Sequence, residues 1–145
     1  MRNFGLAGEM TYNLEFEKFV QYDAGQLGIS LNVELRLNND STVFEAKMDT
    51  GSSFCIFERI HGERIGIEIE SGLRNRVGTA TGSFLVFGHQ ITLVIEDYEF
   101  DAMVYFAEDV NFNRNVLGRR GAIENLKIGI IDYDGKLYLS RYESE

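Results

Sequence analysis

Apolar and polar residues alternate over long stretches of this chain, and that period of two is the tightest constraint on its fold. It runs through Ile29 to Leu37, Thr42 to Met48, Phe84 to Ile95, Tyr98 to Phe106 and Leu126 to Leu139, the last broken at Asp134-Gly135. A period of two puts successive side chains on opposite faces of an extended strand. The chain has no proline, so its 15 glycines supply the punctuation. Asp134-Gly135 between alternating runs predicts a tight hairpin turn, and Asn38-Asn39-Asp40 predicts another. Helical spacing is confined to Ala122, Ile123 and Leu126, which predicts one short helix over Arg120 to Leu126. At 145 residues the chain fits one domain with a real core. There is no internal repeat or low-complexity linker, and residues 1 to 10 read as a mobile start. The expected class is all-β, a closed or partly closed barrel of short strands.

Composition removes several functions. The formal net charge is −9 and the basic residues are scattered, so the clustered footprint of a nucleic-acid binder is missing. The acidic balance disfavours anionic partners. The single cysteine, Cys55, sits in an apolar run and reads as a small buried hydrophobe. His61 and His89 each stand beside glycine in loop-like contexts, and with one cysteine they give no zinc spacing. Asp97, Glu99, Asp101 and Glu108 match positions 1, 3, 5 and 12 of a calcium loop. The sixth position is Ala102, where that loop needs glycine, so these charges read as the solvated face of a strand. No metal and no cofactor is expected. No apolar run approaches the length of a membrane span, and no basic region followed by an apolar stretch opens the chain. The expectation is a cytoplasmic protein that engages neither membrane nor nucleic acid.

One stretch interrupts the sheet pattern in a particular way. In "FEAKMDTGSSFCIF", residues 44 to 57, Phe44, Ala46 and Met48 share one strand face, and Asp49 arrives where the pattern breaks. On its own, Asp-Thr-Gly-Ser is a turn sequence. Its flanks are not those of an ordinary turn, because the next charge after Asp49 is Glu58. A carboxylate between apolar segments needs hydrogen-bond donors, and Thr50, Ser52 and the amides around Gly51 are at hand.

Two further segments complete a pattern. In "FNRNVLGRRGAIENL", Val116 and Leu117 precede Gly118, a glycine that permits close backbone packing. In "VGTATGSFLVFGHQITLVI", residues 77 to 95, small residues form a tip before an alternating strand. The order of the three segments resembles the retropepsins, single-domain aspartic peptidases with an Asp-Thr/Ser-Gly signature, a glycine-containing flap, and later two apolar residues, Gly and usually Arg before a short helix. The bacterial single-domain branch of these clan AA proteins is the nearest match, through "VYFAED" and "NVLGRRG". The resemblance covers roughly residues 28 to 140, and it departs from retroviral enzymes at Ser53, where they carry Asp. The Ser-Ser form is similar to that of the two-domain pepsins.

The resemblance implies a closed acid-protease barrel with a flap hairpin and one short helix, spanning residues 28–145. Residues 1–27 form an N-terminal extension without a retropepsin counterpart, a candidate part of a dimer interface. It implies Asp49, Thr50, Gly51 and Ser52 as the catalytic loop. Thr79, Ala80, Thr81, Gly82 and Ser83 would be the substrate-binding flap, and Val116, Leu117, Gly118 and Arg119 the structural segment beside the site. With no Asp at position 53, Arg119 must find another acceptor or solvent. Thr50 would bond across to a partner loop. Ser52 would bond the outer oxygen of Asp49, favouring the ionised form and an acidic optimum. Peptide hydrolysis by this route needs two carboxylates around one water. The chain supplies one such loop, since Asp132 and Asp134 in "IIDYDGKL" lack a following Thr-Gly or Ser-Gly. The expected enzyme is therefore a homodimeric aspartic endopeptidase with Asp49 on a two-fold axis, its interface strands drawn from Leu126 to Tyr142 and Leu14 to Tyr22. The alternative is a non-catalytic peptide- or protein-binding module on the same barrel.

Overall fold

The computed structural model describes residues 10–142. The expectation for residues 1 to 9 lies outside them. Among the described residues are ten strands, one α-helix and three 3-10 turns. In order, the strands are β1 (Lys18–Gln21), β2 (Ser30–Leu37), β3 (Asp40–Met48), β4 (Ile56–Phe57), β5 (Leu73–Thr79), β6 (Gly82–Ile95), β7 (Tyr98–Ala107), β8 (Val116–Leu117), β9 (Leu126–Ile131) and β10 (Lys136–Arg141). Helix α1 spans Arg59–Arg64.

Six strands close on themselves. Hydrogen bonding runs β2-β3-β8-β4-β7-β6, and β6 pairs back onto β2 through Val33–Arg36 against Thr92–Ile95. Closure removes the exposed edges an open sheet would leave. Inward residues follow the alternation. Leu31, Val33 and Leu35 of β2, Leu93 and Ile95 of β6, and Val104 and Phe106 of β7 are buried together with Phe57 and Leu117. Each such aliphatic or aromatic side chain contributes roughly 1.5–3 kcal/mol by leaving water.

The first half of β6 pairs with β5, from Leu73 opposite Gly88 to Thr79 opposite Gly82, and its first four residues, 82 to 85, run past the pairing with β7 that begins at Val86. A separate sheet of order β1-β10-β9 packs Leu137 and Leu139 into the core. Lys18–Gln21 thus pairs with Lys136–Leu139 of its own chain.

The turns show how local chemistry sets register. Asn38 takes φ +56 in the two-residue link between β2 and β3. Glu96 and Asp97 both take positive φ between Ile95 and Tyr98, the geometry of a two-residue hairpin whose twist matches the strands. Asp97, first in the calcium template, is therefore a turn residue. Among the described residues no three His, Cys, Asp or Glu side chains converge as a metal site would need. The link between β9 and β10 is longer than a tight turn: a 3-10 turn at Asp132–Asp134, then Gly135 at φ +64.

The helix expected over Arg120 to Leu126 is instead a single 3-10 turn at Ile123–Asn125. Gly121 at φ +91 breaks the backbone before it, and the Glu124 carboxylate accepts the Gly121 N–H at 2.7 Å. The α-helix lies in "RIHGER", where Gly62 had read as punctuation. A Cβ at Gly62 would lie 2.7 Å from Ile69 and 3.1 Å from Phe106, so the glycine lets the helix backbone rest on the core. Arg59 anchors the helix, bonding Glu63, Glu70 and the Glu108 carbonyl. His61 is on α1, buried and stacked on Phe44 at 3.8 Å, and His89 is on β6. Neither is in a loop.

Candidate functional site

Asp49 is the first residue after β3, and its loop is tied to the segment around β8 rather than left as a free turn. β8 lies between two strands, parallel to β3 and antiparallel to β4, with Val116 opposite both Lys47 and Ile56. The Asp49 amide donates to the Leu117 carbonyl at 2.9 Å. Arg119 and Arg120 amides donate to the Ser52 and Ser53 carbonyls, each at 2.9 Å. The loop from Asp49 to Ser53 therefore wraps the chain passing from Leu117 to Arg120. Gly118 sits inside this wrap, where any Cβ would overlap the Phe54 carbonyl and lie 2.8 Å from the Ser52 carbonyl. A glycine here meets the close backbone approach that the sequence reading assigned to it.

Within the loop, the Gly51 amide donates to Asp49 Oδ1 at 2.9 Å, and the Ser52 amide to the Asp49 carbonyl at 3.1 Å. The Ser52 hydroxyl does not reach Asp49. It donates to the Phe54 carbonyl at 2.7 Å, which corrects the expected serine–carboxylate bond and removes the reason given for an acidic optimum. The serine closes the turn after Asp49, because its own backbone is already held by Arg119. Asp49 and Thr50 are exposed, and the Thr50 side chain makes no hydrogen bond among the described residues. Arg119 is likewise exposed and acts through its amide.

Asp49 opens onto a cleft of about 390 Å³ between its loop and the β5–β6 hairpin. The floor is Gly51, Ser52, Ser53 and Phe54. The hairpin contributes Arg76, Val77, Gly78, Thr79 and Phe84, and the segment leading into and including β8 adds Phe112, Arg114 and Val116. Of the five expected flap residues, Thr79 lines the cleft. Ala80, Thr81, Gly82 and Ser83 form the exposed tip beyond it, where Thr79 Oγ1 accepts the Thr81 N–H at 3.3 Å and donates to the Gly82 carbonyl at 3.1 Å. Near its tip the hairpin is held by Phe84 against Phe112, ring centroids 5.1 Å apart, and by a small apolar cluster that includes Phe54, Val77 and Tyr105.

Sequence reasoning missed Arg76, Phe84, Phe112 and Arg114 as wall residues. The signal was weak but present, since Phe112 and Arg114 lie just upstream of the Val116-Leu117-Gly118 segment. Cys55 is buried beneath the loop, and burial pushes its thiol pKa up to about 12, so it is no nucleophile near neutrality. A larger cleft of about 700 Å³ runs between β1 and the barrel. Within its lining, Glu96 accepts the Asn32 N–H at 2.8 Å and Gln21 donates to the Asp134 and Gly135 carbonyls. Among the described residues, Asp49 is the one carboxylate lining the smaller cleft, and no helix is long and apolar enough to cross a membrane. No protein-family model matches the chain, and a search of curated proteins found no relative.

Proposed function

We propose that this chain is an aspartic endopeptidase of the retropepsin type that works as a homodimer. The observation that carries the reading is Asp49 at a cleft of mixed polar and apolar lining, on a loop wrapped around Gly118 and facing a hairpin flap. One carboxylate per chain cannot act as both general base and general acid. Two Asp49 side chains brought together by a two-fold axis can. Carboxylates that close share one proton, since both cannot be ionised. The ionised member takes a proton from a water held between them, and the protonated member donates to the scissile carbonyl oxygen. Gly51 supplies an amide that holds Asp49 Oδ1 in place. Thr50, exposed beside it, is free to bond the partner loop. The sheet of β1, β10 and β9 leaves Phe19, Ile130, Ile131 and Tyr133 exposed, apolar surface suited to the dimer contact.

Hydrolysis of a diverse peptide library by the purified protein, beside its Asp49→Asn variant, tests the reading. The introduced amide oxygen can still accept the Gly51 N–H, so the fold stays and the rate drops by roughly 10²–10⁴-fold or more. An Asp49→Asn protein that cuts at the wild-type rate refutes it. A wild-type protein that binds peptides in the cleft and cuts none is a binding module.

A further inference from the structure

We propose that the cleft selects peptides with an acidic side chain close to the bond that meets Asp49, read by Arg76 on the flap and Arg114 on the segment leading into β8. The word "bond" rests on the peptidase reading above; the preference for acidic peptides does not. Three of the residues lining the cleft are charged: Asp49, Arg76 and Arg114. The cleft lining is thus net positive in a chain whose formal net charge is −9. Among the described residues, four basic side chains outside the cleft are matched to carboxylates, Lys18 to Asp97, Arg36 to Glu34 and Glu99, Arg59 to Glu63 and Glu70, and Arg120 to Glu124, while others such as Lys47 and Lys127 are not; what sets Arg76 and Arg114 apart is their place in the cleft with Asp49. Neither cleft arginine has a carboxylate partner among the described residues. Arg76 donates only to the neutral Ser83 hydroxyl, at 3.1 Å, and so stays aligned along the hairpin with its charge uncompensated.

The global charge does not cancel this. At physiological ionic strength the screening length is about 8 Å, so distant carboxylates are damped while groups inside the cleft act at close range. Arg76 and Arg114 are both exposed, so a pair formed with either has the modest strength of a surface ion pair. A guanidinium also offers paired donors that match a carboxylate. In the proposed dimer two such clefts join, placing four arginines around an acid pair that carries one negative charge. The general disfavour of an acidic chain for anionic partners is therefore reversed at this one place.

The test uses acetylated, amidated decapeptides in pairs that differ by Glu or Gln at each position, so that the only carboxylate is the side chain under study. The full chain is assayed for cleavage, and its Asp49→Asn variant for binding by fluorescence anisotropy. The expected wild-type preference for the best Glu peptide over its Gln twin is about fivefold or more in kcat/KM. That preference shrinks from 50 to 500 mM salt. It falls toward unity in Arg76→Gln and Arg114→Gln, and Arg114→Glu shifts it toward a Lys-containing peptide. Cleavage of both twins with equal kcat/KM overturns the proposal while leaving the peptidase reading intact. No cleavage, with tighter binding of the Glu twin, upholds the acidic preference and removes the peptidase. No cleavage and equal binding overturns it.

Discussion

Gly118 lies against the carbonyl of Phe54 with no space for a side chain between them. This contact lets the Asp49 loop close around the segment after β8, since the Ser52 and Ser53 carbonyls receive the amides of Arg119 and Arg120. Gly118→Ala forces these two backbones apart. The expected cost is roughly 1–3 kcal/mol, at the upper end because backbone rather than a flexible side chain must yield. Urea denaturation at neutral pH measures it. Hydrolysis should fall with it, and more than the residual folded fraction explains, because Asp49 hangs on the same bonds. A Gly118→Ala protein as stable as wild type would mean that the wrap is looser than it looks.

A dimer with Asp49 on its axis makes activity depend on assembly. Sedimentation over a micromolar range should show two-chain species, and specific activity should fall on dilution. Mixing wild type with excess Asp49→Asn should suppress activity beyond simple dilution, because a mixed dimer has one competent carboxylate. A strict monomer with undiminished activity ends the dimer proposal.

His61 makes the fold sensitive to acid. It is stacked on Phe44, and neither ring nitrogen has a hydrogen-bond partner among the described residues. Burial, helped by the nearby positive charge of Arg64, lowers its pKa from 6.5 to about 4. Glu58 at 3.6 Å is too distant to offset this. The unfolded chain, with an ordinary histidine, binds the extra proton first as pH falls. The stability contribution is therefore full above about pH 6.5 and is lost as pH drops toward 4, by on the order of 2–3 kcal/mol. Urea midpoints for wild type and His61→Phe at pH 7, 5.5 and 4 should converge or cross as pH falls. Parallel decline of the two proteins would show that other groups carry the acid sensitivity.

The hairpin tip has few contacts to hold it. Residues 78 to 83 are exposed, and their side-chain bonds stay within the hairpin, at Thr79 and from Arg76 to Ser83. Segments of this kind open at little cost. Amide exchange at these positions should be fast in the free protein and slowed when a peptide occupies the Asp49→Asn variant. Strong, equal protection in both states would argue against a moving flap.

The strands were legible in the sequence because a period of two is a property of consecutive residues. Ile29 to Leu37 and Tyr98 to Phe106 differ from β2 and β7 by one residue at one end. Asp49-Thr50-Gly51-Ser52 and Val116-Leu117-Gly118 were legible for the same reason, since each is a contiguous run whose chemistry is local. The short helix was not. Its placement at Arg59–Arg64 depends on Gly62 meeting Ile69 and Phe106, and on Arg59 reaching Glu70 and Glu108. Ser52 could be named as a loop residue, but the choice between Asp49 and the Phe54 carbonyl was made only when Arg119 fixed the loop's backbone from 67 positions away. Arg76 and Arg114 come to line one cleft because β5 pairs with the first half of β6 while β8 threads between β3 and β4. Sequence by itself determines which residues can form strands, turns and an acid-bearing loop. Which of them face one another is decided by barrel closure, since long-range hydrogen bonding and packing choose among partners that local chemistry leaves equivalent.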